Sequence, residues 1–98
     1  MYAFGKDFLF TKSFPLTPQT LVHKSQAPVE IYQVISDDPS ASVLELEFHG
    51  AYRKLAPGQS MALSETWRLR PYHGSDTTAA HLEFLSHLAP ADGSAPRN

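Results

Sequence analysis

Three ionisable side chains with the spacing of an acid–base couple occupy alternate positions near the middle of the chain: Glu45, Glu47 and His49. Alternate residues of a β-strand point to the same face, so a strand here would place these side chains next to one another. A carboxylate beside an imidazole can move a proton to or from a bound substrate. The simpler interpretation is that the three residues form the water-facing side of an amphipathic strand.

A second group of residues combines aromatic rings with guanidinium groups, which can stack on a sugar ring or hold an anionic ligand. Its members are Tyr52, Arg53, Trp67, Arg68, Arg70 and Tyr72. The alternative is that Trp67 belongs to the core, because it has the same strand parity as Leu63 and Leu69. Sequence parity favours the core position for Trp67.

A strand, a turn and a second strand over residues 43–69 would position most of these side chains. Apolar residues at 44, 46 and 48 alternate with the polar residues at 45, 47 and 49, as in a pleated strand with one wet face. A second alternating segment covers residues 61–69. Between them, Ala56-Pro57-Gly58-Gln59 predicts a type II turn, because proline presets φ and glycine accepts a positive φ.

Local patterns outside this region predict further strands, a loop and one helix. Aromatic and β-branched residues favour strands at 7–14 and 29–35, prolines favour a loop at 15–27, and residues 37–40 read as a turn. Residues 51–55 allow a short extra strand. Ser75 or Asp76 is the expected N-cap of a helix over residues 77–89, which Pro90 ends.

The elements together predict a mainly β chain. We expect one β-rich domain over residues 1–89, an antiparallel β-sandwich or open barrel of about five or six strands with one C-terminal α-helix. The composition of residues 90–98 predicts a disordered tail.

Composition argues against several classes of function. The net charge is −2 without a Lys or Arg run, so a nucleic-acid partner is not expected. The chain has no cysteine, and its histidines at 73, 81 and 87 lack the spacing of a metal site, so we expect no metal and no cofactor. No apolar segment reaches the roughly 18 residues of a membrane span and no signal-peptide pattern occurs, which predicts a cytoplasmic protein.

Four segments in order carry a family resemblance: KSFPL from residue 12, VEIY from 29, LELEFHGAYRKLAPGQS from 44 and ETWRL from 65. Within residues 10–70, this succession resembles the carboxyl-terminal portion of aldose-1-epimerase-like (galactose mutarotase-like) proteins. Those chains also have a strand with a Leu-Glu pair, a Pro-Gly turn and a strand with the pattern E-x-W-x-L. The resemblance implies an antiparallel β-sandwich whose concave face binds a pyranose.

The resemblance also implies site residues. In that family a glutamate on a late strand is the general base at the anomeric hydroxyl, and histidines from earlier in a much longer chain supply the acid. Glu47 best matches that glutamate, and Glu45 is the second choice. The segment that carries the acid has no counterpart here, so its role is not assigned to His49. The ligand contacts expected from the match are Glu45, His49, Tyr52, Arg53 and Trp67.

Three functions are compatible with these patterns. The favoured one is a small carbohydrate-binding domain with a monosaccharide ligand and no catalysis of its own. The alternatives are a minimal mutarotase with Glu47 as base, and a structural or interaction protein that acts through a sheet edge or the C-terminal helix. Because a shortened sandwich leaves strand edges uncovered, we also expect a homodimer.

Overall fold

The structure is a computed structural model and describes residues 1–88. Over that range the elements are β1 (Tyr2–Gly5), β2 (Phe8–Ser13), β3 (Val29–Val34), β4 (Val43–Phe48), β5 (Thr66–Pro71) and α1 (Thr78–Ser86), with a 3₁₀ turn at Pro39–Ala41. The strands form two antiparallel sheets, in the orders β1–β2–β5 and β3–β4. The prediction of a mainly β chain with antiparallel sheets and a C-terminal helix is confirmed.

The backbone divides into two compact units. Among the described residues, the first contains Met1–Ser13 and 66–88, and the second is Phe14–Glu65. The first unit therefore holds β1, β2, β5 and α1, and the second holds β3 and β4. A single domain over residues 1–89 stays a prediction. The tail predicted at 90–98, and residue 89 of the predicted helix, lie outside the described residues.

The first unit is organised around Leu9, whose side chain is completely buried in the central strand β2. Phe4, on the neighbouring strand, pairs with Leu9, and its ring stacks on the imidazole of His81 from α1 with centroids 3.8 Å apart. Tyr72 and Phe84 make edge-to-face contacts with the same ring. This aromatic cluster attaches the helix to the sheet, because ring pairs at such separations contribute packing energy.

The helix begins later than the sequence indicates. Its N-cap is Thr77, in extended conformation, and the Thr77 hydroxyl accepts a hydrogen bond from the Ala80 amide at 3.2 Å. The expected cap Asp76 instead directs its carboxylate toward His81, with Oδ1 3.3 Å from Nε2. The helix has nine residues, and among residues 1–88 no helix has the length and apolar character to cross a membrane.

The second unit contains a two-stranded sheet and long connections. Asp38 caps the turn between β3 and β4: its carboxylate accepts hydrogen bonds from the Ser40 hydroxyl at 2.8 Å and the Ser40 amide at 3.0 Å. The turn at 56–59 forms as predicted, with the Gln59 amide donating to the Ala56 carbonyl at 3.0 Å and Gly58 at φ +84°. Local turn chemistry thus accounts for both turns.

The pairing of the strands differs from the sequence interpretation. The two alternating segments of residues 43–69 lie in separate sheets, since β4 pairs with β3 and β5 pairs with β2. The second segment becomes a strand only at Thr66, and residues 51–55 form no strand. Alternation shows which side chains share a face, but it does not identify the neighbouring strand.

The core position predicted for Trp67 is wrong. Trp67 pairs with Lys12 and Leu69 pairs with Phe10, on the face of the three-stranded sheet opposite Leu9. The helix packs on the Leu9 face through Phe4. Trp67 and Leu69 are consequently 64% and 69% exposed.

Candidate carboxylate–imidazole site

The polar face of the β3–β4 sheet brings the main sequence-predicted residues together. Glu45 and Glu47 lie on β4, and His49 follows directly after the strand. The His49 amide donates to the Pro28 carbonyl at 3.0 Å, which extends the ladder beyond the end of β4. Glu45, Glu47 and His49 therefore keep the alternation of the strand and share one face, as the sequence predicts.

Two residues of β3 complete this face. Glu30 lies directly opposite Glu47, and Tyr32 lies directly opposite Glu45. The Tyr32 side chain is 55% exposed. We call Glu30, Tyr32, Glu45, Glu47 and His49 the polar face of the β3–β4 sheet. It combines three carboxyl groups, one imidazole and one accessible aromatic ring.

Three groups of the polar face converge closely, and we call Glu30, Glu47 and His49 the Glu–His cluster. The Nε2 atom of His49 lies 3.6 Å from Oε2 of Glu30 and 3.9 Å from Oε2 of Glu47. One ligand atom from each of the three residues lies within 4.8 Å of the other two. Their polar atoms can therefore contact one small ligand at the same time.

His49 is the most enclosed member of the cluster. Its side chain is 19% exposed, and Nε2 itself is inaccessible to solvent and has no hydrogen-bond partner among residues 1–88. The side chains of Glu30 and Glu47 are 37% and 39% exposed. A ligand would approach from the carboxylate side, and His49 forms the floor.

The loop before β3 orients Glu30. Its Oε1 atom accepts a hydrogen bond from the Ala27 amide at 2.9 Å. This bond holds one oxygen of the carboxylate and leaves the other, Oε2, beside His49. Glu30 is thus positioned by its own loop as well as by the strand register.

The neighbouring carboxyl groups raise the pKa of Glu47. The largest cause is a side-chain hydrogen bond with Glu45, followed by partial burial and by the negative charges of Glu45 and Glu30. His49 acts in the opposite direction. Glu47 keeps its proton to a higher pH than an ordinary glutamate, which is the direction expected of a general base matched to mild pH.

Tyr52 belongs to a different pocket of the second unit. The pocket, with a volume of ≈ 540 Å³, is open and is lined by Thr20, Leu21, Val22, His23, Lys24 and Tyr52. The Tyr52 ring is 70% exposed and meets the His23 ring edge to face, with centroids 4.8 Å apart. Arg53, next along the chain, is exposed. Neither residue is part of the polar face.

The predicted aromatic and guanidinium group is divided between elements. Trp67 lies in the first unit, where its ring contacts Phe10 edge to face and Lys12 Nζ lies 5.9 Å from its centroid. Arg68 and Arg70 lie on the other face of β5 by alternation. Tyr72 is buried, and its hydroxyl donates to the Ser75 carbonyl at 2.6 Å. Tyr72 is therefore a core residue.

Two further histidine–aspartate contacts line a pocket of ≈ 370 Å³ in the first unit. His73 Nδ1 lies 3.9 Å from Asp7 Oδ1, and His81 Nε2 lies 3.3 Å from Asp76 Oδ1. The His73 and Asp7 side chains are 76% and 68% exposed. The His81 ring is stacked on Phe4 as part of the core packing. This pocket is therefore a weaker candidate for a ligand site than the Glu–His cluster.

Sequence reasoning missed Glu30 and Tyr32. Both lie in a strand that was predicted correctly, but their side chains join the site only through the β3–β4 register. The available signal was their shared parity, since 30 and 32 alternate with the apolar residues at 29 and 31. Parity becomes informative only when the partner strand is known.

Comparisons with known proteins give one match. Residues 1–70 match the model of a family described as "Domain of unknown function (DUF4380)". No curated protein and no solved structure gives a match. The matched segment contains β1 to β4 and nearly all of β5, including every residue of the polar face. Because the match spans more than half of the chain, this chain belongs to the DUF4380 family.

Proposed function

We propose that this chain is a small carbohydrate-binding domain that binds a monosaccharide on the polar face of the β3–β4 sheet. The observation that carries the proposal is the combination of two half-exposed carboxylates with the accessible ring of Tyr32 on one sheet face. Carboxylate oxygens accept hydrogen bonds from sugar hydroxyls, and an aromatic ring gives the apolar side of a pyranose a surface to cover. The resemblance to aldose-1-epimerase-like proteins over residues 10–70 supports the same ligand class.

The geometry favours binding over catalysis. Ring opening requires a base at the anomeric hydroxyl and an acid at the ring oxygen, placed on either side of the sugar. Glu47 and His49 lie on one face of one strand, with their closest polar atoms 3.9 Å apart. Both groups would therefore meet the sugar from the same side. We propose no catalysis by this chain alone.

A minimal mutarotase is the second candidate. The raised pKa of Glu47 favours it, because such a carboxylate is a better proton acceptor than an ordinary glutamate. In this function Glu47 would remove the proton from the anomeric hydroxyl. Measurement of the anomerisation rate separates the two candidates. Acceleration that is lost in Glu47→Gln would establish catalysis.

Exposed apolar side chains favour a third candidate function, that of an interaction protein. Its partner would be another protein or a second copy of this chain. Ile31 and Leu44 are 63% and 53% exposed on the face of the β3–β4 sheet opposite Glu30, and Leu82 of α1 is 62% exposed. Self-association through the apolar face of the β3–β4 sheet, or separately through the helix, would give the homodimer expected from the sequence. Light scattering tests it, and a monomer throughout the micromolar range would contradict it.

The test of sugar binding is an amide NMR titration with a panel of common monosaccharides. We expect shifts at residues of the polar face and their loss in Tyr32→Ala and Glu47→Gln. Tyr52→Ala is the matched control, because Tyr52 is a comparably exposed tyrosine that lines another pocket. Absence of shifts up to tens of millimolar sugar would contradict the proposal. Loss of binding in Tyr52→Ala alone would place the sugar site in the pocket lined by Tyr52 and His23.

A further inference from the structure

We propose that the Glu–His cluster is a binding site for a divalent transition-metal cation of the zinc type, with Glu30 Oε2, Glu47 Oε2 and His49 Nε2 as its ligands. The inference goes beyond sugar binding and does not depend on it. The sequence predicts no metal site, because the chain has no cysteine and the histidines at 73, 81 and 87 lack the spacing of ligands. Glu30 lies far from Glu47 and His49 along the chain. The β3–β4 register brings the three side chains together.

The donor atoms suit such a cation. Zinc accepts both imidazole nitrogen and carboxylate oxygen, and a zinc held by three protein ligands keeps a fourth position open for water or substrate. Magnesium and calcium instead prefer sites made of oxygen ligands alone. The presence of His49 therefore selects a borderline metal such as Zn²⁺ over a hard cation.

The distances are close to those of a coordination sphere. Ligands at ~2.0–2.1 Å from a tetrahedral zinc lie roughly 3.3–3.4 Å from one another. Nε2 of His49 is 3.6 Å from Glu30 Oε2 and 3.9 Å from Glu47 Oε2. The two distances to His49 close with movements of about half an ångström or less. All three ligand atoms lie within 4.8 Å of one another, so the two carboxylate oxygens must approach each other by at most about 1.5 Å, which the half-exposed glutamate side chains can do by rotating.

His49 provides an observation that is independent of the carboxylates. Its Nε2 atom is shielded from water and has no hydrogen-bond partner among residues 1–88. A buried polar atom without a partner is costly, and such atoms in native structures call for an explanation. The atom lies 3.6 Å from Oε2 of Glu30 and 3.9 Å from Oε2 of Glu47, and a bound cation would use its lone pair.

The surroundings of Glu30 fit the role of a ligand. The Ala27 amide donates to Oε1 at 2.9 Å and so fixes the orientation of the carboxylate whose Oε2 faces His49. Outer hydrogen bonds of this kind orient metal ligands. A divalent cation would also offset the repulsion between Glu30 and Glu47, which are direct cross-strand neighbours.

The experiment is a Zn²⁺ titration of the full chain, without an affinity tag and after chelator treatment, in the absence of sugar. Calorimetry gives stoichiometry and affinity, and NMR of the imidazole nitrogens identifies the ligand atom. We expect one zinc per chain, a large shift of His49 Nε2, and affinity weakened roughly tenfold or more in Glu30→Gln, Glu47→Gln and His49→Gln. The amide spectrum of each variant reports whether it is folded.

The matched control is His87→Gln. His87 and Glu83 form another histidine–glutamate pair, with Nε2 3.0 Å from Oε1, but both side chains are about three-quarters exposed on α1. Zinc affinity should be unchanged in this variant. The proposal is overturned if folded Glu30→Gln and Glu47→Gln bind zinc as tightly as the parent, if affinity is lost in His87→Gln, or if Mg²⁺ binds as tightly as Zn²⁺. The sugar titration is repeated once with zinc and once with chelator. Failure of the zinc proposal can then be told apart from failure of the proposed sugar binding.

Discussion

Glu30 and Glu47 face each other directly across the antiparallel β3–β4 pair. Like charges at directly opposed positions destabilise a sheet, and the carboxyl of Glu45 lies close enough to hydrogen-bond with Glu47. Three carboxyl groups on one small face are therefore a cost to folding. Such a local conflict is expected where stability has been given up for a ligand.

Removing one of the opposed charges should stabilise the chain when chelator is present. Glu30→Gln keeps an oxygen that can accept a hydrogen bond from the Ala27 amide, but it removes the repulsion with Glu47. We therefore expect the free energy of unfolding to rise by about 0.2–1 kcal/mol. The gain should shrink at high salt, which screens exposed charges. Thermal unfolding at low and high ionic strength measures it. A loss of stability at low salt would show that attraction between Glu30 and His49 dominates.

The pH dependence near Asp38 has a predictable sign. Hydrogen bonds from the hydroxyl and then the amide of Ser40 hold the pKa of Asp38 below its ordinary value. Between the folded and unfolded pKa values the unfolded chain binds more protons, so this contribution to stability is present above the unfolded pKa and is lost as pH falls through the folded pKa.

The substitution Ser40→Ala tests this assignment, because it removes the larger of the two causes. An NMR titration of the Asp38 carboxyl should show its pKa rising toward the ordinary range. The stability of the parent and of Ser40→Ala should converge as the pH is lowered through the folded pKa. An unchanged Asp38 pKa would mean that the hydroxyl does not bond the carboxylate in solution.

The turn at 56–59 depends on the backbone of Gly58. Its φ is +84°, and nothing lies within 4 Å of a Cβ built there, so a side chain meets strain but no clash. We expect Gly58→Ala to cost about 1–2 kcal/mol by urea denaturation. Gly58→Asn should cost less, since asparagine tolerates this region better. Equal stability of Gly58→Ala and the parent would indicate a different turn.

Gly74 leaves room for the buried Tyr72 ring. A Cβ at Gly74 would lie 2.7 Å from the Tyr72 hydroxyl oxygen, which donates to the Ser75 carbonyl. Gly74→Ala should therefore destabilise the first unit. Tyr72→Phe alone should cost about 0.5–1.5 kcal/mol for the lost hydrogen bond. Gly74→Ala should remain costly in the Tyr72→Phe background, because the added Cβ would also lie 2.8 Å from Cζ of the ring. A Gly74→Ala variant as stable as the parent would contradict the contact.

Trp67 is the single tryptophan of the chain and reports its own exposure. With 64% of its surface accessible, it should emit at the long wavelengths of a hydrated indole and be quenched readily by acrylamide. If the homodimer covers this face, the emission should shift to shorter wavelengths with rising protein concentration. Short-wavelength emission at high dilution would show that Trp67 is buried in the core, as its strand parity predicts.

The sequence by itself determined the local elements. The strand segments at 8–13, 29–34 and 43–48 and the Pro-Gly turn follow from side-chain alternation and turn chemistry, which act between near neighbours. The C-terminal helix was also predicted, although its N-cap is Thr77 and not the expected Ser75 or Asp76. The common face of Glu45, Glu47 and His49 followed from the same short-range rule. These features depend on residues only a few positions apart.

Only the tertiary structure decided which strands lie side by side. Pairing joins residues far apart in the chain, and the two-residue period of a strand is satisfied by any partner that offers a matching face. The β3–β4 pairing placed Glu30 opposite Glu47 and created the Glu–His cluster, whereas the β2–β5 pairing moved Trp67 to an exposed face. The site therefore depends on long-range register, which local periodicity does not encode.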